Sequence, residues 1–274
     1  VRIVTSSSAT SRASSRLGSK GRGARIMWPP PQFFELHTGL PREGPGDDSI
    51  TRRAVGLLPE LPADPVIVDA GCGPGGQTLV LARELGMKVT AIDIWEPFVE
   101  ELRGRARSAG LDHLIEARQG DMSALPFERG TVHLIWCEGA IYQIGFGEGL
   151  ELWRTLLAEG GIVAASEAVW TVDDPPAEVR EMWEREYPAI TDAMGCIARA
   201  AHAGYETLHH FTLPPESWWT HYYGPMEERI EELRPRAADD SVLAQVLLEA
   251  ELEIDMHRRF GHTYSYEFLI MLKH

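Results

Sequence analysis

The sequence predicts an α/β fold, a doubly wound and mostly parallel sheet with helices on both faces. Three observations point there. Short apolar runs rich in β-branched residues, such as Val66–Ile67–Val68 and Val89–Asp93, alternate with helix-length periodic segments, the alternation that builds a parallel sheet. A glycine-dense turn, VDAGCGPGGQT (Val68–Thr78), joins the first of these runs to the helix that follows. The order then repeats through five strands before changing near Asp173.

In chain order, Asp48 to Leu61 carries a helical period at Ile50, Ala54, Leu57 and Leu58, with Asp48 and Ser49 available as caps. A proline-flanked turn, Pro62 to Pro65, leads to the strand Val66–Ala70, and the helix from Gly76 to Leu85 stops at Gly86. Val89–Asp93 is the second strand. The helix Trp95–Ala109 after it is ended by Gly110, and Leu114–Arg118 is the third strand. Val132–Cys137 reads as the fourth strand, Gly149–Leu157 as a helix and Gly161–Ala168 as the fifth strand. Beyond these, Asp173 to Ala203 reads as helical, Tyr205–Leu213 as a strand and Tyr266–Leu272 as the last strand. The long, mostly helical segment from Pro215 to about Arg259 is no simple hairpin connection. With the Asp173–Ala203 block it reads as a cap over one edge of the sheet.

Composition narrows the function. A chain of 274 residues, 44% hydrophobic and 24% charged, has the mass and balance of a globular domain with a substantial core. No apolar run approaches the roughly 18 residues of a membrane span. The formal charge of −15 argues against nucleic acid as a partner, because phosphate backbones are bound by basic surfaces. Three cysteines, Cys72, Cys137 and Cys196, lie outside any CxxC or Cys/His spacing, which suggests a reducing compartment such as the cytoplasm and no structural zinc. The first 26 residues hold six basic side chains and no acidic one, leaving 20 basic against 41 acidic residues in the rest. That stretch reads as a disordered tail, a leader, or sequence upstream of a natural start at Met27. Oligomeric state is not readable.

A strand, a glycine-rich turn and a helix N-terminus place bare amide groups beside a concave backbone. In a doubly wound sheet such turns lie where ligands bind, beyond the carboxyl ends of the strands. Asp93, at the end of the second strand and 22 residues after Gly71, suits ribose hydroxyls. To this point NAD, FAD and S-adenosylmethionine (SAM) all remain open. The loop, however, is GxGxGG with Pro74 before Gly75, not the dinucleotide GxGxxG. Asp69 directly precedes it, and Gln119–Gly120–Asp121–Met122 sets another acid after the third strand. Such acids repel a pyrophosphate and attract the sulfonium and ammonium of SAM, by about 4 kcal/mol at 4 Å for an effective dielectric near 20, before desolvation.

These residues resemble the class I SAM-dependent methyltransferases, small-molecule branch. VIVDAGCGPGGQT looks like the family's first motif, VTAIDI like its acidic second-strand motif and RQGDMSALPF like its adenine loop. TVHLIWCEGAIYQIG and LAEGGIVAASE are similar to its fourth and fifth strands. The match covers roughly Thr51 to Trp170. It implies a Rossmann-like, seven-stranded sheet with an antiparallel last strand, within a domain spanning 27–274 whose cap segments are about 173–203 and 215–259.

The resemblance also assigns roles. Gly71, Gly73 and Gly75, with Cys72 as a small filler, approach the methionine and ribose parts of SAM, and Asp69 organises the loop and the amino group. Asp93 accepts from the ribose hydroxyls and Ile94 packs on adenine. Gly120, Asp121 and Met122 address the adenine edge, with Asp121 taking its amino group. Cys137 and Glu138 end the fourth strand beside the methyl donor. GPGDDS (Gly44–Ser49) resembles a segment that some relatives place against the cofactor, and equally suits a turn and helix cap.

Methyl transfer needs a base only where the acceptor holds a proton that must leave. Glu138, Tyr142 and His221 are the candidates for that task. Trp218, Trp219, Tyr222 and Tyr223 in SWWTHYYG offer a flat apolar wall that can face a sulfonium or a small-molecule acceptor, or serve as packing between cap and core. His209 and His210 fall on a strand, one expected inward and one outward. Aspartates and histidines lack metal-site spacing, so the expected enzyme is metal-independent. The rival readings are a nucleotide-dependent oxidoreductase and a non-catalytic SAM-binding protein.

Overall fold

A computed structural model describes residues 29–274; the tail or leader read over 1–26 lies outside the described residues. In chain order the elements are α1 (Pro31–His37), α2 (Asp48–Val55), β1 (Ile67–Ala70), α3 (Gly76–Leu85), β2 (Val89–Asp93), α4 (Glu96–Ser108), β3 (Ile115–Gln119), β4 (Val132–Cys137), α5 (Phe146–Arg154) and β5 (Leu157–Trp170). There follow α6 (Ala177–Glu186), β6 (Thr191–Asp192), α7 (Ala193–His202) and β7 (Tyr205–Thr212). The last elements are α8 (Glu216–Trp218), α9 (Gly224–Ala237), α10 (Ser241–Phe260) and β8 (Tyr264–Lys273), with a π-helical turn, Trp219–Tyr223, joining α8 to α9.

The strands run in the order β3-β2-β1-β4-β5-β8-β7, with the two-residue β6 pairing against β5. Pairing is parallel from β3 to β5, and β8 is antiparallel to both β5 and β7. The sheet reverses direction of build at β1, which lies between β2 and β4, so the ends of β1 and β4 open a crevice there. Ile50 and Ala54 of α2 and Leu81 and Ala82 of α3 are buried with Ile67, Val89 and Leu134 on one face. Phe146, Leu150 and Trp153 of α5 and Cys196 and Ala200 of α7 are buried with Val68, Ile135 and Val163 on the other. Val68 and Ile67 are neighbours in sequence yet serve opposite faces, as strand pleating requires. The cap helices α9 and α10 close over the first face, and α1 packs against both.

Several local expectations need correction. Asp47, not Asp48 or Ser49, caps α2, its side chain accepting from the Ser49 and Ile50 amides. The block from Asp173 to Ala203 is interrupted, because Tyr187 precedes Pro188 and takes an extended φ of −147° that ends α6. The helix read over Gly149–Leu157 starts at Phe146 and ends at Arg154, and Leu157 opens β5 instead. His209 and His210 are both exposed, because the β7–β8 register shifts between Thr207 and His209 and breaks the alternation.

Gly75 caps α3 at φ 87°, and a Cβ there would stand 2.1 Å from Leu102 Cδ1 on α4. Gly75→Ala is therefore expected to lower stability by about 2–4 kcal/mol, through left-handed strain and displacement of Leu102. Urea denaturation checks this; an unchanged midpoint would contradict the close approach of α4 to the loop.

Candidate active site

The glycine loop is held by its neighbours on both sides. Gly71 (φ 74°) and Gly73 (φ 52°) lie in the left-handed region that admits glycine freely. The Gly71 and Cys72 amides donate to the Ile92 carbonyl at 2.8 and 3.1 Å, tying the loop to β2. The Gly73 amide donates to Asp93 Oδ2 and the Trp95 amide to Asp93 Oδ1, each at 2.9 Å. A Cβ at Gly71 would meet Ala140 Cβ at 2.6 Å and Met122 Cε at 3.0 Å. The segments following β1, β2, β3 and β4 thus converge on one point.

That point holds carboxyl groups removed from water. Asp69 is fully buried; Oδ2 accepts from Thr78 Oγ1 at 2.6 Å, and Oδ1 has no hydrogen-bond partner. Burial, opposed by the Thr78 hydrogen bond and aided by the charge of Glu138, pushes its pKa up to about 7. Burial also pushes Asp93 up to about 6, against its hydrogen bonds from the Trp95 and Gly73 amides. Glu43, whose Cγ would lie 3.5 Å from a Cβ on Gly73, is raised as well, by burial foremost. A cluster of desolvated acids beside a glycine loop attracts a cation and repels a diphosphate.

Glu138 is engaged differently. Its Oε2 accepts from Arg42 Nη1 at 2.8 Å; its Oε1 accepts from Thr51 Oγ1 at 2.8 Å and Trp136 Nε1 at 2.9 Å. Arg42 also donates to Thr51 Oγ1, and both partners of the ion pair have side chains only 6% exposed. Glu138 therefore clasps α2 and the segment before it to the end of β4.

The methyltransferase domain family matches residues 67–161, the stretch that builds this loop, β1 through β4 and the start of β5. Over that stretch the chain is similar to a methyltransferase domain. Over 157 residues it is 32% identical to a sarcosine/dimethylglycine N-methyltransferase of Halorhodospira halochloris, covering 55% of this chain and 56% of that protein. Over 80 residues it is 38% identical to a geranyl diphosphate 2-C-methyltransferase of Streptomyces lasalocidi, covering 29% and 26%. The matched stretches thus span about half or less of these relatives' own lengths. In fold it resembles a SAM-dependent methyltransferase from Thiobacillus denitrificans solved in complex with S-adenosyl-L-homocysteine, with a TM-score of 0.78 at 18% identity over 89% of this chain and 99% of that one.

Within the matched stretch, Gly120 follows β3 and donates its amide to the Asp93 carbonyl at 2.9 Å. Asp121 is exposed and caps a short 3-10 turn through the Ser123 amide, and Ile94 is 36% exposed at the loop's edge. The Met122 carbonyl accepts from Trp153 Nε1 at 2.9 Å. Cys72 and Cys137 are buried, and burial drives both thiols upward, so neither is primed as a nucleophile. Gly44–Ser49 lies against Glu138 and Arg42: a Cβ at Gly46 would stand 3.4 Å from Glu138 Oε2.

The aromatic run packs mostly within the cap. Trp218 is buried and stacks on His257 at 4.3 Å, beside Tyr264 and Tyr266. Buried Tyr222 and Tyr223 direct their hydroxyls to Glu253, and Trp219 lies under Arg258. His221 is partly exposed on the π-helical turn. Tyr142 sits on the 3-10 turn after β4, edge-on to Tyr187 at 6.0 Å, its hydroxyl raised by burial.

Sequence reasoning missed Arg42, Glu43 and Glu167. Glu167 is fully buried two residues beyond the last β4–β5 pair, with Oε2 unpartnered and its pKa pushed by burial to about 8. The Tyr187 hydroxyl faces this carboxyl, and that of Tyr266 is buried without a hydrogen-bond partner. A cavity of about 270 Å³ between β5, β6 and β8, lined by Trp170, Asp192, Thr212 and Glu267, includes none of the glycine-loop residues. Among the described residues, no group of three or more His, Cys, Asp and Glu side chains is arranged to hold a metal ion, and no helix is long and apolar enough to cross a membrane.

Removing Arg42 would leave the Glu138 carboxylate buried beside only neutral donors. Arg42→Ala is expected to cost about 3–5 kcal/mol, the penalty for breaking a buried pair. Arg42→Met combined with Glu138→Gln should recover more than half of that loss. Urea denaturation of the three proteins reads it; a double variant no more stable than Arg42→Ala would contradict the charge origin of the effect.

Proposed function

We propose that this chain transfers a methyl group from SAM to a small organic acceptor through oxygen, nitrogen or carbon, releasing S-adenosylhomocysteine. The observation that carries the reading is the pair of carboxyls, buried Asp69 and half-buried Asp93, flanking a strand-end glycine loop with their pKa values raised to about 7 and about 6. A dinucleotide would bring negative charge into that cluster; SAM brings a sulfonium and an ammonium. The names of the curated relatives, N- and C-methyltransferases of small molecules, support the same class.

Bound SAM supplies a methyl group on positively charged sulfur, whose bond to carbon breaks as the acceptor's electron pair arrives. Asp93 holds the ribose, the glycine loop and Asp69 border the methionine end, and Ile94 and Asp121 border the adenine. Holding an acceptor in line with that methyl, away from water, supplies most of the rate, since effective molarities of about 10⁵–10⁸ M are attainable by positioning. The cap closes the acceptor side. Buried Glu167 on β5, with Tyr187 against it, and the Tyr266 hydroxyl on β8 give an acceptor groups to hydrogen-bond. Glu138, with both oxygens engaged, serves the frame in preference to proton transfer.

Incubating the protein with methyl-labelled SAM and a fractionated metabolite extract is expected to yield a small labelled product, identified by mass. Calorimetric titration should show SAM and S-adenosylhomocysteine binding. SAM binding without any labelled product would favour a binding protein, and NADH binding in its place would favour an oxidoreductase.

A further inference from the structure

Leu40 to Gly46 forms a strap across the glycine loop. Arg105 of α4 donates to the Leu40 and Pro41 carbonyls at 2.7 and 3.1 Å, Arg42 pairs with Glu138, and the Gly46 amide donates to the Ser217 carbonyl at 2.9 Å. The fit is close: a Cβ at Gly76 would stand 3.0 Å from both the Pro41 carbonyl oxygen and Arg42 Cγ. The strap thereby carries Glu43 over Gly73. Glu43 Oε2 meets His37 Nδ1 of α1 at 2.5 Å, while Oε1 is buried and has no hydrogen-bond partner. The charged groups facing this carboxyl are His37 from α1, Glu101 and Arg105 from α4, and Asp93 from the end of β2.

A buried carboxylate oxygen without a donor is costly unless a ligand supplies one. The space above Gly73 has a further peculiarity. Asp93, the acid expected to take both hydroxyls of a ribose, already accepts a backbone amide on each oxygen. A vicinal diol brings two O–H donors, and the bare Oε1 of Glu43 adds acceptor capacity beside it.

Resting on the reading that the loop takes SAM, we propose that Glu43 is a second ribose-binding carboxylate, delivered by the strap, that accepts one hydroxyl of the nucleoside while Asp93 accepts the other. His37 is a positioning residue: it engages Oε2 and leaves Oε1 without a protein partner. The ligand class is any 5′-thio-substituted adenine ribonucleoside with both hydroxyls intact. The strap, tied to α4, β4 and the cap at once, fixes the distance between the two carboxylates.

The test measures dissociation constants of 5′-methylthioadenosine and its 2′-deoxy and 3′-deoxy analogues, which carry no sulfonium or amino-acid charge. Wild-type protein should lose about 10- to 100-fold in affinity when the hydroxyl facing Glu43 is absent, the range of one hydrogen bond to a charged group. Glu43→Ala should bind the parent nucleoside that much more weakly and no longer distinguish it from that analogue. Glu43→Gln, nearly isosteric and able to accept through its amide oxygen, should retain part of the discrimination and provides the reading should the alanine variant fold poorly. Variants that discriminate as well as wild type would overturn the assignment alone. Wild-type protein that binds neither 5′-methylthioadenosine nor S-adenosylhomocysteine would remove the donor reading and this assignment with it.

Discussion

Negative charge held out of water is the constraint on which this structure turns. Asp69 lies at the end of β1 with one carboxylate oxygen unpartnered, Asp93 at the end of β2 with both oxygens bound to loop amides, and Glu43 comes down from the strap. Burial opposes ionisation of each, and their charges raise one another's pKa values where they face each other. Two of the neighbourhood's acids have a basic partner, Glu138 in Arg42 and Glu43 in His37, whereas Asp69 and Asp93 accept from the Thr78 hydroxyl and from backbone amides. A site left with uncompensated acids is stabilised by a ligand that brings positive charge, and the proposed donor does.

The scaffold that keeps these acids together is the order of the sheet. Because β1 lies between β2 and β4, the segments after all three strands reach the same crevice, and the contact of Gly71 with Ala140 and Met122 leaves no room for a side chain. The Arg42–Glu138 pair then locks the strap and α2 to the end of β4. A buried ion pair of this kind contributes little net stability against an apolar substitute. Its use here is geometric, fixing where the strap lies.

Much of the fold was legible because its signals are local. Glycine stops, proline turns and short β-branched runs bracket α3, β2 and β4 at the residues observed, and Tyr264–Lys273 supplies the antiparallel strand that the family resemblance implied. Leu157 suited either a helix end or a strand start, and pairing with Val132 decided it for the strand. Asp69 and Asp93 could be found because they adjoin a recognisable loop. Arg42 could not, since its partner stands 96 residues away and no spacing encodes that contact. Glu167 was hidden in an apolar strand, where a lone acid carries no periodic signal. The aromatic run SWWTHYYG was visible, but only packing shows that Trp218, Tyr222 and Tyr223 lie buried in the cap.

The central claim is that acids near the loop are held partly protonated until a cation arrives. Calorimetry of SAM binding near pH 6.5, between the values for Asp93 and Asp69, in buffers of different ionisation enthalpy reads the protons exchanged. A bound cation lowers both pKa values, so protons must leave the protein as SAM binds. The expected result is net proton release, larger for SAM than for S-adenosylhomocysteine and fading as pH rises well above 7. Binding of SAM without proton release, or with proton uptake, would contradict the account.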